Sequence, residues 1–255
     1  MANKILRPQN PYLKNARKES GWKIRWGVLL FWLFLILGGI YFFRHSAFFN
    51  ISDIIIEGTK TIGDDEILAI AEKHKEENTN LFKYPVKEVE KEILEKFLQI
   101  DQVNVSRGIP KTIKIEIIER EGFLIWQTQE KNYIIDKKGV VFREIDESLS
   151  FPVIVDNKNE SVELGEKILS KKFLSFVSII NKNFAKKTKL KIKKMVIEDT
   201  TFELNVETTS GWQVKFDTTR DANEQISAVS KVLSHIRKKV KEYIDLRTEN
   251  WVYYK

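Results

Sequence analysis

The chain has 255 residues, with 43 Lys and Arg against 36 Asp and Glu, and no cysteine, which excludes disulfide staples and thiolate chemistry. With 42% hydrophobic and 31% charged residues, its make-up is that of a folded protein and not of a disordered one. The formal net charge of +7 is concentrated in residues 1–25, where seven basic residues face Glu19 for a net of +6, so the high pI reports one tail and gives no ground for nucleic-acid binding.

That tail contains Pro8 and Pro11, lacks apolar periodicity, and reads as a disordered segment. Trp26 to Phe43 follows, eighteen residues without a charge between Arg25 and Arg44. As a helix it reaches about 27 Å, close to the ~30 Å hydrocarbon core of a bilayer. A signal peptide would carry a shorter apolar run and a small-residue cleavage site, whereas this run is followed by Arg44-His45-Ser46-Ala47-Phe48-Phe49. The segment therefore reads as an uncleaved anchor, with Trp22, Trp26 and Tyr41 placed for the two interfaces. Positive charge before the span predicts the N-terminus in the cytoplasm and the C-terminal bulk outside.

After the anchor, Phe49 to Gly58 reads as a strand. Asp64 and Asp65 introduce a helix with Ile67, Ile70, Ala71 and His74 on one face. Pro85 opens a second helix with an inner face of Val86, Val89, Ile93 and Phe97. Val103 and Val105, then Ile113, Ile115 and Ile117, alternate as two strands separated by Gly108 and Pro110. The unit is β-α-α-β-β.

From Phe123 onward strands dominate: 123–128, 133–136, 140–142 after the turn at Lys137-Lys138-Gly139, and 151–155. A helix over 171–184 buries Phe173, Phe176, Val177, Ile180 and Phe184. Strands at 192–197, 202–206 and 212–216 follow, the last two joined at Thr209-Ser210-Gly211. Thr218 and Asp221 have capping-box spacing before a helix striped by Ile226, Val229, Val232, Leu233, Ile236 and Val240. The chain runs out through Tyr243-Ile244-Asp245-Leu246-Arg247 and Trp251-Val252-Tyr253-Tyr254-Lys255, both β-prone.

Reactive groups do not converge in this sequence. His45, His74 and His235 lie beside the anchor and on helices, none in an HExxH pattern, and GxSxG, P-loop and GxGxxG motifs are missing. No enzyme, cofactor, metal site or small-molecule substrate is expected. The lysine runs 186–194 and 231–241 read either as solvated faces that protect strand edges or as contacts to anionic lipid or an acidic wall polymer.

The order of these segments resembles a known family. Phe49-x-Ile51-x-x-Ile54-x-Ile56-x-Gly58, Asn80-Leu81-Phe82-x-Tyr84, the Val103 to Ile115 stretch and Glu119-Arg120 resemble a POTRA domain. Trp126, Asp136-x-x-Gly139-Val140-Val141-Phe142 and Tyr243 to Arg247 resemble the β-domain of the bacterial FtsQ/DivIB division proteins. Gly122 departs from the proline usual in that family, and Asp156 to Glu160 has no counterpart there. The resemblance implies an α+β protein: tail 1–25, transmembrane helix 26–43, POTRA domain 49–120, and a mixed α/β domain over 121–255 with a mostly antiparallel sheet. It further implies a non-enzymatic divisome scaffold in the cytoplasmic membrane at the septum, engaging FtsB/FtsL-type single-span partners, other divisome components and membrane lipid.

The contact residues expected from the resemblance and from edge-strand chemistry are Asp245, Leu246, Arg247, Trp251, Tyr253 and Tyr254, with the alternative that the aromatics close the core. The rival function is an anchored POTRA adaptor for secretion or sensing that binds polypeptide clients.

Overall fold

A computed structural model describes residues 21–146, 149–236 and 239–255, with side chains from residue 26 apart from that of Ile236. Of the tail 1–25, residues 1–20 lie outside what is described, as do the side chain of Trp22 and the Ile236 position of the last helical stripe, whereas residues 21–25 are helical and not, as expected, disordered.

Helix α1 (Gly21–His45) contains the apolar run, and over Trp26–His45 its mean hydropathy is 2.2. Its apolar side chains from Val28 to Tyr41 are largely exposed, and among the described residues none of its span is buried as a core helix would be. Water does not tolerate an apolar surface of that size, so the helix is long, apolar and bare enough to cross a membrane. A short 3₁₀ turn at Ala47–Phe49, capped by the Ser46 hydroxyl, leads out of it.

The next elements are β1 (Asp53–Glu57), α2 (Asp64–Glu77), α3 (Val86–Lys96), β2 (Ile100–Gly108) and β3 (Thr112–Glu119). They form a three-stranded sheet ordered β1-β3-β2, with β1 parallel and β2 antiparallel to β3. The helices cover one face, since the 3.6-residue spacing of Ile67, Ile70 and Ala71 meets the two-residue spacing of Ile113, Ile115 and Ile117 in one core. The expected β-α-α-β-β unit is present. Its first strand starts later than expected, because Phe49 is buried in the 3₁₀ turn, where its carbonyl accepts from the Leu81 amide at 2.8 Å.

The second part contains β4 (Gly122–Thr128), β5 (Lys131–Asp136), β6 (Val141–Ile145), β7 (Val153–Asp156), α4 (Lys171–Thr188), β8 (Ile192–Ile197), β9 (Glu203–Thr208), β10 (Gln213–Asp217), α5 (Ala222–Ile236), β11 (Tyr243–Asp245) and β12 (Tyr253–Tyr254). These strands make one sheet, ordered β12-β11-β10-β9-β8-β7-β4-β5-β6. Five of its pairings are antiparallel, and β10–β11, β7–β8 and β4–β7 are parallel, so the sheet is mostly antiparallel as expected. Helices α4 and α5 lie together on one face over Leu204, Val206, Val214, Phe216 and Ile244. A smaller cluster of Ile125, Ile134, Phe142 and Ile145 covers the opposite face near β6.

Gly122 explains its departure from proline locally. A Cβ there would stand 2.9 Å from both Ile134 and the Phe151 ring. Residues 156–160 end β7 and dock on the β4–β5 turn, where the Asn159 carboxamide accepts from the Gln129 amide at 3.0 Å. Asp221, and not Thr218, caps α5. Its carboxylate accepts from the Glu224 amide at 2.8 Å, while the Thr218 hydroxyl donates to the Thr201 carbonyl.

The Glu119-Arg120 pair joins the two parts. Glu119 accepts from the amides of Lys60, Thr61 and Ile62 and from the Thr61 hydroxyl. Arg120 donates to the Leu98 carbonyl, to Asp101 and, at 2.6 Å, to buried Asp136. The other oxygen of Asp136 accepts from the amides of Lys138 and Val140, which fixes the turn before β6. The two motifs are thus one clamp between the domains.

Candidate functional site

The expected contact residues lie at the β12 edge of the large sheet. Strand β11 pairs in parallel with β10, placing Val214 beside Ile244 and Lys215 beside Asp245. Strand β12 then pairs antiparallel, placing Tyr254 opposite Ile244 and Tyr253 opposite Asp245. Because strand residues alternate between faces, Tyr254 lies on the helix-covered face and Tyr253 on the open one. Lys255 and Tyr243 exchange amide–carbonyl bonds, at 3.1 and 3.4 Å. In an antiparallel ladder the residue between two bonded pairs points its peptide groups outward, so Tyr254 directs its N–H and C=O away from β11.

Between β11 and β12 the chain turns at Asn250, which adopts φ +61°. Trp251 closes one side of a groove of about 470 Å³ whose other walls include Arg220, Gln225, Ala228 and Leu246. Trp251 is 66% exposed, Tyr253 52% and Tyr254 46%. The alternative that these aromatics close the core does not describe them. Val252 packs against the core instead.

Asp245 and Arg247 share a face, as their spacing required, but they bond to each other. The guanidinium donates to both carboxylate oxygens, from Nε at 3.0 Å and Nη2 at 2.7 Å, and its third nitrogen donates to Glu203 at 2.6 Å. Burial pushes the Asp245 carboxyl up, yet the Arg247 side chain and amide outweigh it and hold the group below its ordinary range. Arg247 is correspondingly raised by its bonds to Asp245 and Glu203. These charges are therefore satisfied within the chain and order the corner that carries β12.

Leu246 corrects the expectation. It is 3% exposed and belongs to the core under α5, because alternation turns it to the same side as Ile244. Its carbonyl accepts from Arg220, whose Nε is paired with Asp217 at 3.0 Å. Neither Arg220 nor Glu203 stood out in the sequence. Both act through folds of the chain that bring residues 26 and 44 positions apart into contact, which no local spacing reveals.

Comparison with known proteins finds two family matches in succession along the chain. The family model for the POTRA domain of FtsQ type matches residues 49–120, and that for the C-terminal part of the cell division protein FtsQ/DivIB matches residues 124–247. The cell division protein FtsQ of Rickettsia bellii is 26% identical over 206 residues, 80% of this chain and 72% of that protein. FtsQ of Rickettsia conorii is 24% identical over the same shares. The cell division protein DivIB of Clostridium acetobutylicum is 33% identical over 106 residues, 40% of each chain.

Proposed function

This chain belongs to the FtsQ/DivIB family of cell division proteins, and on that premise we propose that it is a non-enzymatic scaffold whose β12 edge captures a single-span division partner of the FtsB/FtsL type. The observation that carries the reading is the edge itself: a short strand with outward peptide groups, flanked by three exposed aromatics. A partner strand adds to such an edge through main-chain bonds, while Trp251, Tyr253 and Tyr254 supply the large, rigid contact area that dominates interface energies. The Asp245–Arg247–Glu203 network holds the corner in register, so less ordering is left to be done on binding.

In this reading α1 fixes the protein in the cytoplasmic membrane at the septum, with the basic tail inside and both folded domains outside. Partners that are themselves single-span proteins present their extracytoplasmic segments within reach of the same surface. The function consists of holding and aligning them, with no catalytic step.

Two experiments test this. Depletion in cells is expected to give filaments without septa, whereas normal division with a secretion defect would favour the client-binding adaptor. In pull-downs of the full chain, Trp251→Ala and Tyr253→Ala are expected to stay folded and lose the FtsB/FtsL-type partner. Unchanged capture by both folded variants would remove the edge from the proposal.

A further inference from the structure

Helix α1 does not end on a loose tether. The Asn80 side-chain amide donates to the carbonyls of Phe43, at 3.2 Å, and Ser46, at 3.5 Å, in and just after its last turn. The rings of Phe43, Phe49 and Phe82 pack with centroids 5.1 to 5.4 Å apart. The Ile51 amide donates to the Thr79 carbonyl and the Ser52 amide to the Lys111 carbonyl, at 2.8 and 2.9 Å. Three segments separated in sequence are thus laced together where the helix enters the POTRA domain. Strand direction says the same, for β1 and β3 run parallel away from this end and β2 returns to it.

This end presents apolar tips. Ile109, in the β2–β3 hairpin turn, is 72% exposed and Phe48 is 58% exposed. Lone exposed apolar residues are ordinary on a free surface. Here their position is dictated by the anchor. The eighteen uncharged residues Trp26 to Phe43 reach about 27 Å, close to the ~30 Å hydrocarbon core, which puts the turn at Phe42–His45 at its boundary. Groups bonded to that turn sit in the headgroup layer. The charges carried by these segments are of both signs, Arg44, Lys83, Arg107 and Lys111 against Asp53, Glu76 and Glu77, so the contact rests mainly on apolar insertion.

Resting on the reading of α1 as a membrane anchor, we propose that this end of the POTRA domain is a lipid-docking surface, with Phe48 and the Ile109–Pro110 tip seated in the headgroup and acyl boundary of the bilayer that α1 crosses. Two contacts beside the helix make a fixed base, which sets the tilt of the domain and hence where the β12 edge stands above the membrane.

The absence of native cysteine makes the test direct. The full chain in phosphatidylcholine nanodiscs is labelled with bimane at Ile109→Cys, at Leu35→Cys in the anchor, or at Phe202→Cys, an exposed site in the distal domain. Nitroxide-bearing lipid and aqueous iodide serve as quenchers, and Phe48→Cys repeats the measurement should the hairpin variant misfold. Labels at 109 and 35 are expected to lose emission to nitroxide lipid and that at 202 to iodide alone. If 35 responds to lipid while 109 behaves like 202, the docking is wrong and the anchor stands. If 109 is shielded from both quenchers, a protein contact replaces lipid and the proposal falls. If 35 also ignores the lipid quencher, the anchor reading fails and takes the proposal with it.

Discussion

The two edges of the large sheet solve the same problem in opposite ways. An edge strand exposes unpaired peptide groups and invites further strands. At β6 the chain bends back to cover it: the Val141 amide donates to the Glu166 carbonyl at 2.9 Å, the Gly165 amide to the Val141 carbonyl at 2.7 Å, and Val141, Phe142 and Ile145 are buried. At β12 no segment among the described residues returns over the strand, and the aromatic side chains stay exposed. Of the two edges of this sheet, the one at β12 keeps large aromatics exposed and is the better suited to a partner strand.

The largest effect on stability is expected at the closed edge. Gly139 has φ +90°, and a Cβ there would stand 2.0 Å from the Leu169 carbonyl oxygen. Gly139→Ala should cost about 3 kcal/mol, read as a lower urea midpoint for the distal domain. At the open edge Arg247→Ala removes a largely buried pair and should cost about 1 kcal/mol, together with faster amide exchange in β12.

Acid should act on the same corner. Asp245 is held below its ordinary range, so its contribution is complete above the unfolded value near ~4 and fades as pH falls through the folded one. Acid unfolding of Asp245→Asn should therefore have a shallower slope below about pH 4 than the parent chain. Glu119 responds to acid in the same direction. Burial pushes its carboxyl up, but the Thr61 hydroxyl and the amides of Lys60, Thr61 and Ile62 bring it to about 2. Its stabilisation is lost only as pH falls from the ordinary glutamate range toward that value, and Glu119→Gln should flatten that part of the acid profile.

The smallest stability change is expected at Trp251→Ala and Tyr253→Ala, within about 0.5 kcal/mol, because both side chains are mostly outside the core. Partner affinity should fall by about 2 kcal/mol in each, measured by titration against the partner's extracytoplasmic segment. A loss of stability as large as the loss of affinity would erase the contrast between the edges.

Periodicity made much of this legible. The inner face of α2 is Ile67, Ile70, Ala71 and His74, and that of α4 includes Phe173, Phe176, Val177, Ile180 and Phe184, as their spacing predicts. Three-to-four spacing reports burial directly when a helix has one covered side. What the spacing could not carry were contacts between distant segments. The Arg120–Asp136 clamp, the Arg247–Glu203 bond and the insertion of β7 between β4 and β8 all depend on tertiary placement. The terminal edge was recognisable as β-prone and aromatic. Its brevity came from the turn at Asn250, and the removal of Leu246 from its surface from the register with β10.

A partner is expected to reach the β12 edge and not the β6 edge. A photo-crosslinking residue introduced at position 253, and separately at position 144 on β6, compares them in living cells. Crosslinks from Tyr253 to a single-span division protein, with none to it from Glu144, are the predicted result. Capture of that protein from 144 but not from 253 would contradict it.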